Sequence, residues 1–235
     1  MKKILVSAAL LASGIAMFPN AMASGALNVD DAAIVEPHAC QFESWARFNR
    51  DRTERWFMPA CNATGNLEIA AGGAVQRDVQ GLYMAHTQIQ LKTVLRELQT
   101  NAVGIGLIAG TDGETEAGSR ERSLHSYAKI PVTLSLSDDA FLLHANLGIT
   151  YSDTQHTARM TWGMGMEKLL SRRFMVIAEI YGEHKGKPSY QAGLRTVLLP
   201  DRIDFSTTFG NAFGRESAGQ FVALAIRFIV PGLLP

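Results

Sequence analysis

Residues 141–151 read Phe141-Leu142-Leu143-His144-Ala145-Asn146-Leu147-Gly148-Ile149-Thr150-Tyr151. Side chains alternate along a strand, so this segment has two unlike faces. Phe141, Leu143, Ala145, Leu147, Ile149 and Tyr151 form an apolar face. Leu142, His144, Asn146, Gly148 and Thr150 form a mixed polar one. Ten residue steps separate Phe141 from Tyr151, about 33 Å at about 3.3 Å per residue. Tilted by about 40°, the segment spans about 25 Å, the height of the apolar band of an outer-membrane barrel, with a ring at each edge.

The N-terminus supplies an address. Lys2 and Lys3 precede an apolar run from Ile4 to Phe18, which Pro19 and Asn20 break before Ala21-Met22-Ala23. Residues 1–23 are expected to be a Sec-type signal peptide cleaved before Ser24. An uncleaved anchor is the alternative, but the run falls short of the ~18 to 20 residues that span a bilayer. An exported chain without a later apolar helix meets a membrane as a barrel or at its surface. Twenty-two Lys and Arg balance twenty-two Asp and Glu, so no basic footprint for nucleic acid is present.

Cys40 and Cys61 are the two cysteines. In an oxidising compartment a disulfide is expected. A hairpin of 39–49 and 53–61 turning at Arg50-Asp51 places the two opposite each other. A metal site lacks further ligands nearby.

Twelve strand-like segments follow an irregular lead, residues 24–38. They are roughly 39–49, 53–61, 66–77, 81–95, 102–110, 123–136, 141–152, 159–170, 174–183, 188–198, 202–210 and 218–229. The third is the weakest, interrupted by Gly72-Gly73. A short helical turn is allowed near Arg96–Thr100. Tight turns at Ser137-Asp138-Asp139, Ser171-Arg172-Arg173 and Pro200-Asp201 alternate with longer polar segments, Thr111–Arg122, Ser152–Ala158, Gly182–Lys187 and Asn211–Ala218. Such alternation, and an even strand count that puts both termini on the short-turn side, predict an all-β, up-and-down antiparallel transmembrane barrel. It would occupy residues 39–230, with a tail at 231–235. A soluble lipocalin-like barrel would turn its apolar face inward instead. Long strands, a small and polar second face, and rings at Tyr83, Phe141, Tyr151, Trp162, Phe174, Tyr190, Phe209 and Phe228 favour apolar side out.

The other face then places Lys92, Lys129, Glu167, Glu179, Gln191, Arg195, Asp204 and Arg227 in the lumen. Charges there need partners or water. Arg195 is expected near Asp204, and Arg227 near Asp204 after a slight register shift. They brace the wall, line a pore selective for solutes, or do both. Glu167 and Glu179 would be the carboxylates to test for hydrolysis. His125 and His144 are expected far apart, without a serine and acid beside either. The histidines are too scattered for a metal cluster. Met160, Met164 and Met166 with Trp162 read as lipid-facing surface. Gly104, Gly106 and Gly110 leave room in the lumen or allow wall curvature.

The segments Gln88-Ile89-Gln90-Leu91-Lys92-Thr93, Ala178-Glu179-Ile180-Tyr181-Gly182-Glu183, Tyr190-Gln191-Ala192-Gly193-Leu194-Arg195, Leu199-Pro200-Asp201-Arg202-Ile203-Asp204 and Ala223-Leu224-Ala225-Ile226-Arg227-Phe228 resemble the transporter-like outer-membrane barrels grouped under the meta-pathway of phenol degradation. The resemblance runs from about Gly81 onward. It implies an outer-membrane barrel connected with uptake of hydrophobic or aromatic compounds. The chain departs from barrels that end on an aromatic residue, because Pro231 stops the last strand near Phe228.

The expected function is passage, or sensing, of a small solute across the bacterial outer membrane, by a monomer with no cofactor and no enzymatic role. Its partners would be outer-membrane lipids, the barrel-insertion machinery and the solute. The alternatives are a plugged, non-conducting structural barrel, a soluble periplasmic lipocalin-like binder and an enzyme.

Overall fold

The computed structural model describes residues 27–81, 83–116, 119, 122–214 and 219–235. The expected signal peptide therefore lies outside the described residues. Twelve antiparallel strands follow one another: β1 Cys40–Asn49, β2 Arg52–Asn62, β3 Leu67–Asp78, β4 Tyr83–Arg96, β5 Val103–Glu116, β6 Arg122–Leu136, β7 Phe141–Ser152, β8 Thr157–Ser171, β9 Phe174–Glu183, β10 Ser189–Leu199, β11 Ile203–Ala212 and β12 Phe221–Val230. Each pairs with its sequence neighbours, and β1 closes on β12 from Cys40 opposite Val230 to Asn49 opposite Phe221. Closure leaves no unpaired strand edge, which hydrocarbon would not tolerate.

The apolar face points outward. Leu147 is 58% exposed and Ile149 48%, whereas His144 on the same strand is 3% exposed. This is the arrangement of a transmembrane barrel, the reverse of a lipocalin. Outward rings cluster near both rims: Phe42, Phe141, Phe174 and Phe228 at the end that carries the termini, and Phe48, Tyr83, Tyr151, Trp162 and Tyr190 at the other. We call the first end periplasmic and the second extracellular.

Several boundaries differ from the sequence expectation. β3 is complete, because Gly72 and Gly73 sit where neighbouring backbone comes too close for a side chain: a Cβ on Gly73 would lie 2.1 Å from the His86 carbonyl oxygen. β5 continues to Glu116, so only residues 117–121 separate it from β6, and the polar stretch expected as a long loop is largely strand. Extracellular polarity is thus carried on extended strands above the apolar band. No helical turn forms after Arg96; residues 97–102 connect β4 to β5 through Asn101 at φ 56°. At Ser137-Asp138-Asp139 three successive residues take left-handed angles, and Asn101 donates to Asp138 across the gap at 2.6 Å. β12 extends to Val230, immediately before Pro231. The tail then folds back: Leu234 N donates to the His38 carbonyl at 3.1 Å.

Candidate functional site: an occupied lumen

Residues 27–38 have no strand or helix of their own; residues 28–35 lie inside the barrel, and exposed Glu36, Pro37 and His38 lead to the rim. Inside the lumen the anchors are inward side chains. Glu179 on β9 accepts from the backbone N–H groups of Asn28 and Val29, each at 2.9 Å, and from Asn28 Nδ2 at 3.0 Å. Asn146 on β7 accepts from Asp30 N at 2.8 Å and donates to Asp30 O at 2.7 Å, copying a strand partner with one amide. Lys129 on β6 pairs with the Asp30 carboxylate, and Lys92 on β4 with Asp31 Oδ1 at 2.8 Å. Thr133 on β6 accepts from Ala32 N at 2.9 Å. Glu68 on β3 accepts from Val35 N at 3.0 Å, and Asn62 on β2 donates to Val35 O at 2.7 Å. A segment without secondary structure must satisfy its backbone polar groups somehow when buried. Here side chains from five strands do so, and a sixth, β4, holds the Asp31 carboxylate.

Wall glycines make the space. A Cβ on Gly163 of β8 would meet Val29 Cγ2 at 2.6 Å, and one on Gly106 of β5 would sit 3.4 Å from Ala32 O. The room expected in the lumen beside Gly106 is therefore taken by the chain itself. Val29 is 2% exposed.

The segment is rooted at the periplasmic rim. Cys40 faces Cys61 directly and the two form a disulfide. His38 N donates to Asn62 O at 2.7 Å, and Asn62 N to Ala39 O at 3.0 Å. His38, at φ 63°, turns the chain from wall to lumen, and its Nδ1 contacts Pro235 O at 2.9 Å.

Across the interior a second network is made of wall side chains alone. Arg195 on β10 donates to Glu167 on β8 at 2.8 Å and approaches Asp204 on β11 at 3.8 Å. Arg227 on β12 donates through Nε to Asp204 at 2.7 Å. Asp204 and Arg227 are direct register partners, so no shift is required to bring them together. Barrel closure also sets Glu43 of β1 opposite Arg227. Gln191 bridges towards the segment, donating to Glu179 at 2.7 Å and accepting from Thr208 at 2.7 Å.

All eight residues read as lumen charges or amides, Lys92, Lys129, Glu167, Glu179, Gln191, Arg195, Asp204 and Arg227, carry side chains on the inward face. Seven of them divide into two groups, with Gln191 bonded to Glu179 and Thr208. Glu167, Arg195, Asp204 and Arg227 meet one another, whereas Lys92, Lys129 and Glu179 meet residues 28–31. Glu167 and Glu179 do not act as a pair, since one is bound by Arg195 and the other by backbone N–H groups. Glu43, Glu68, Asn62 and the Asp30-Asp31 dipeptide were not foreseen. For Glu43 and Glu68 a signal existed, because each shares the inward parity of polar neighbours such as Gln41. For Asp30-Asp31 none did.

The register keeps His125 and His144 at opposite ends of the β6–β7 pair. His144 has no serine beside it: Thr133 Oγ1 lies 3.0 Å from its Nδ1, and Glu167 3.8 Å from its Nε2. His125 has Ser123 two residues away on the same face, with Oγ 3.3 Å from Nε2. Asp112 is its register partner on β5. Above the segment, Trp45 and Trp56 stack at 5.3 Å between centroids, and His86 rests on Trp56 at 5.4 Å.

Among solved structures the fold is similar to a KdgM porin, with TM-score 0.59 and 6% identity over 80% of this chain and 98% of that one. It is similar also to a NanC porin, with TM-score 0.57 and 8% identity over 80% and 98%. At such identities the likeness is one of fold, that of outer-membrane barrels. No curated protein matches the sequence. Residues 10–227 match the family described as Uncharacterised conserved protein UCP029691, and the chain belongs to that family.

Proposed function

We propose that this protein is an outer-membrane barrel for passage of a small solute, held closed by its own residues 27–38. One observation carries the reading: side chains from six strands bind that segment across the lumen. Such anchors are individually modest, about 0.5 to 3 kcal/mol each, so a segment bound by several can be held firmly and still be displaced as a unit. The exported, outer-membrane location rests on the signal-like N-terminus, the outward apolar band and the fold. A monomer that reaches the membrane through the insertion machinery fits a barrel closed on itself. The stacked Trp45, Trp56 and His86 above the segment support a hydrophobic or aromatic solute, as the sequence resemblance implies. The similar KdgM porin has been solved in complex with disordered oligogalacturonate; a sugar acid is the comparison solute to set against an aromatic one.

Planar-bilayer recording tests the reading. The whole chain should show no steady conductance, and a variant lacking residues 27–35 should show discrete channel steps. A second reading, a permanently closed structural barrel, is favoured by the second network and by buried Ile108, Ile177 and Leu142, which fill interior space independently of the segment. Silence of the shortened variant would establish that reading and sink the first.

A further inference from the structure

The outward wall of β2–β6 carries a feature that neither lumen network uses. Arg55, Val75, Ala85, Thr115 and Arg122 are successive register partners across these five strands. They form one outward row near the extracellular rim, with arginine at both ends and small or short side chains between. Arg77 lies one step higher, and its guanidinium sits 5.3 Å from the centre of the Tyr83 ring on β4. From the other side Arg122 leans across β5, and its Nη2 donates to Thr87 Oγ1, also on β4. Gly113 permits this path, since a Cβ there would lie 2.5 Å from the Arg122 Nε. Two guanidinium groups thus reach β4 from opposite sides, one at Tyr83 and one at Thr87, with Ala85 between them along the strand. Between them runs a shallow groove lined by Val75, Tyr83, Ala85 and Thr115, with Glu116 at its upper edge. Among the described residues no carboxylate lies within ion-pair distance, 4.0 Å, of Arg55, Arg77 or Arg122.

We propose that this groove binds the phosphate-bearing headgroup of an outer-leaflet lipid, with Arg77 and Arg122 clasping phosphate and the small floor at Ala85 admitting the sugar or acyl root. Planar guanidinium groups match phosphate oxygens two at a time. At the boundary of the apolar band such a contact is partly desolvated and so stronger than in water. The groove lies on the outward wall near the extracellular rim, at headgroup height for an outer-leaflet lipid. The inference rests on the outer-membrane placement and on the extracellular direction of this rim; it does not depend on what residues 27–38 do.

The test is native mass spectrometry of the purified barrel released from detergent, titrated with bisphosphorylated lipid A. Arg77→Gln with Arg122→Gln should weaken retention by about tenfold or more, the loss of one or two charge-assisted contacts. Ala85→Leu keeps both charges and fills the floor, and should weaken it comparably. Lys168→Gln removes an outward cation at the periplasmic rim and should leave retention within about twofold. Equal retention by the double arginine variant, equal retention of dephosphorylated lipid A, or equal loss in Lys168→Gln would each overturn the proposal. Displacement of the lipid by millimolar inorganic phosphate would assign the site to a free anion and overturn the lipid source. Heat-modifiable gel mobility checks the fold of each variant. If the double variant loses it, Ala85→Leu and the dephosphorylated lipid carry the decision. Failure of the whole chain to reach the outer membrane would instead sink the proposed function.

Discussion

On β8, β10, β11 and β12 the inward charges answer one another across neighbouring strands. On β3, β4, β6 and β9 they answer a segment of chain that is not part of the wall. The first set is self-sufficient. Arg195 and Glu167 are each 1% exposed and bound together, so removing either strands the other in a place water does not reach. The second set is complete only while residues 28–35 are present; without them Glu179 and Lys92 would face an emptied space that water can enter. The contrast teaches which half of the interior belongs to the fold and which half can belong to a moving part.

The largest effect should come from breaking the self-sufficient side. Arg195→Met leaves Glu167 without its charge partner and should cost about 3–5 kcal/mol, read as a clear drop in the temperature at which compact gel mobility is lost. An unchanged transition would show that this network contributes specificity and little stability. Next comes the joint between the two regions. Cys40→Ser with Cys61→Ser opens a loop of sequence separation 21 and should cost about 3 kcal/mol. It should also loosen the root of the lumen segment, seen as faster protease cutting near His38 from the periplasmic side. Smaller still is Glu179→Gln, which weakens the acceptor for three N–H groups of Asn28 and Val29. We expect about 1–3 kcal/mol lost from the segment's attachment and much less from the barrel. A maleimide probe at Val29→Cys should label faster in that background, while the heat transition hardly moves; parallel losses in both would mean that the two regions are one cooperative unit. Lys129→Met should do least. Lys129 and Asp30 are each about a quarter exposed, so the pair is screened and worth at most about 1 kcal/mol, declining with salt. A loss as large as that for Glu179→Gln would contradict this ranking.

The barrel itself was legible because its signals are local. Alternation along Phe141–Tyr151 needs only eleven successive residues, and both the outward Leu147 and the inward His144 followed from it. The facing of Cys40 and Cys61 followed from one hairpin. Errors were local too: polar residues 111–116 looked like a loop because composition alone does not separate a loop from a strand rising above the lipid band. The lumen's occupant was not legible. Asp31 and Lys92 are separated by sixty-one residues, and Asn28 and Glu179 by one hundred and fifty-one. Residues 27–38 have no periodicity, since their partners are scattered over six strands.

Sequence by itself therefore determined the solvent on each side of the wall, because side-chain alternation is a property of consecutive residues. It also placed the charged residues that would have to find partners inside. Only the tertiary structure decided which partners those are. Closure brought Glu43 opposite Arg227, the turn at His38 carried the N-terminal segment into the lumen, and the wall glycines admitted it. Those contacts depend on the distance between strands remote in the chain, which no local pattern encodes.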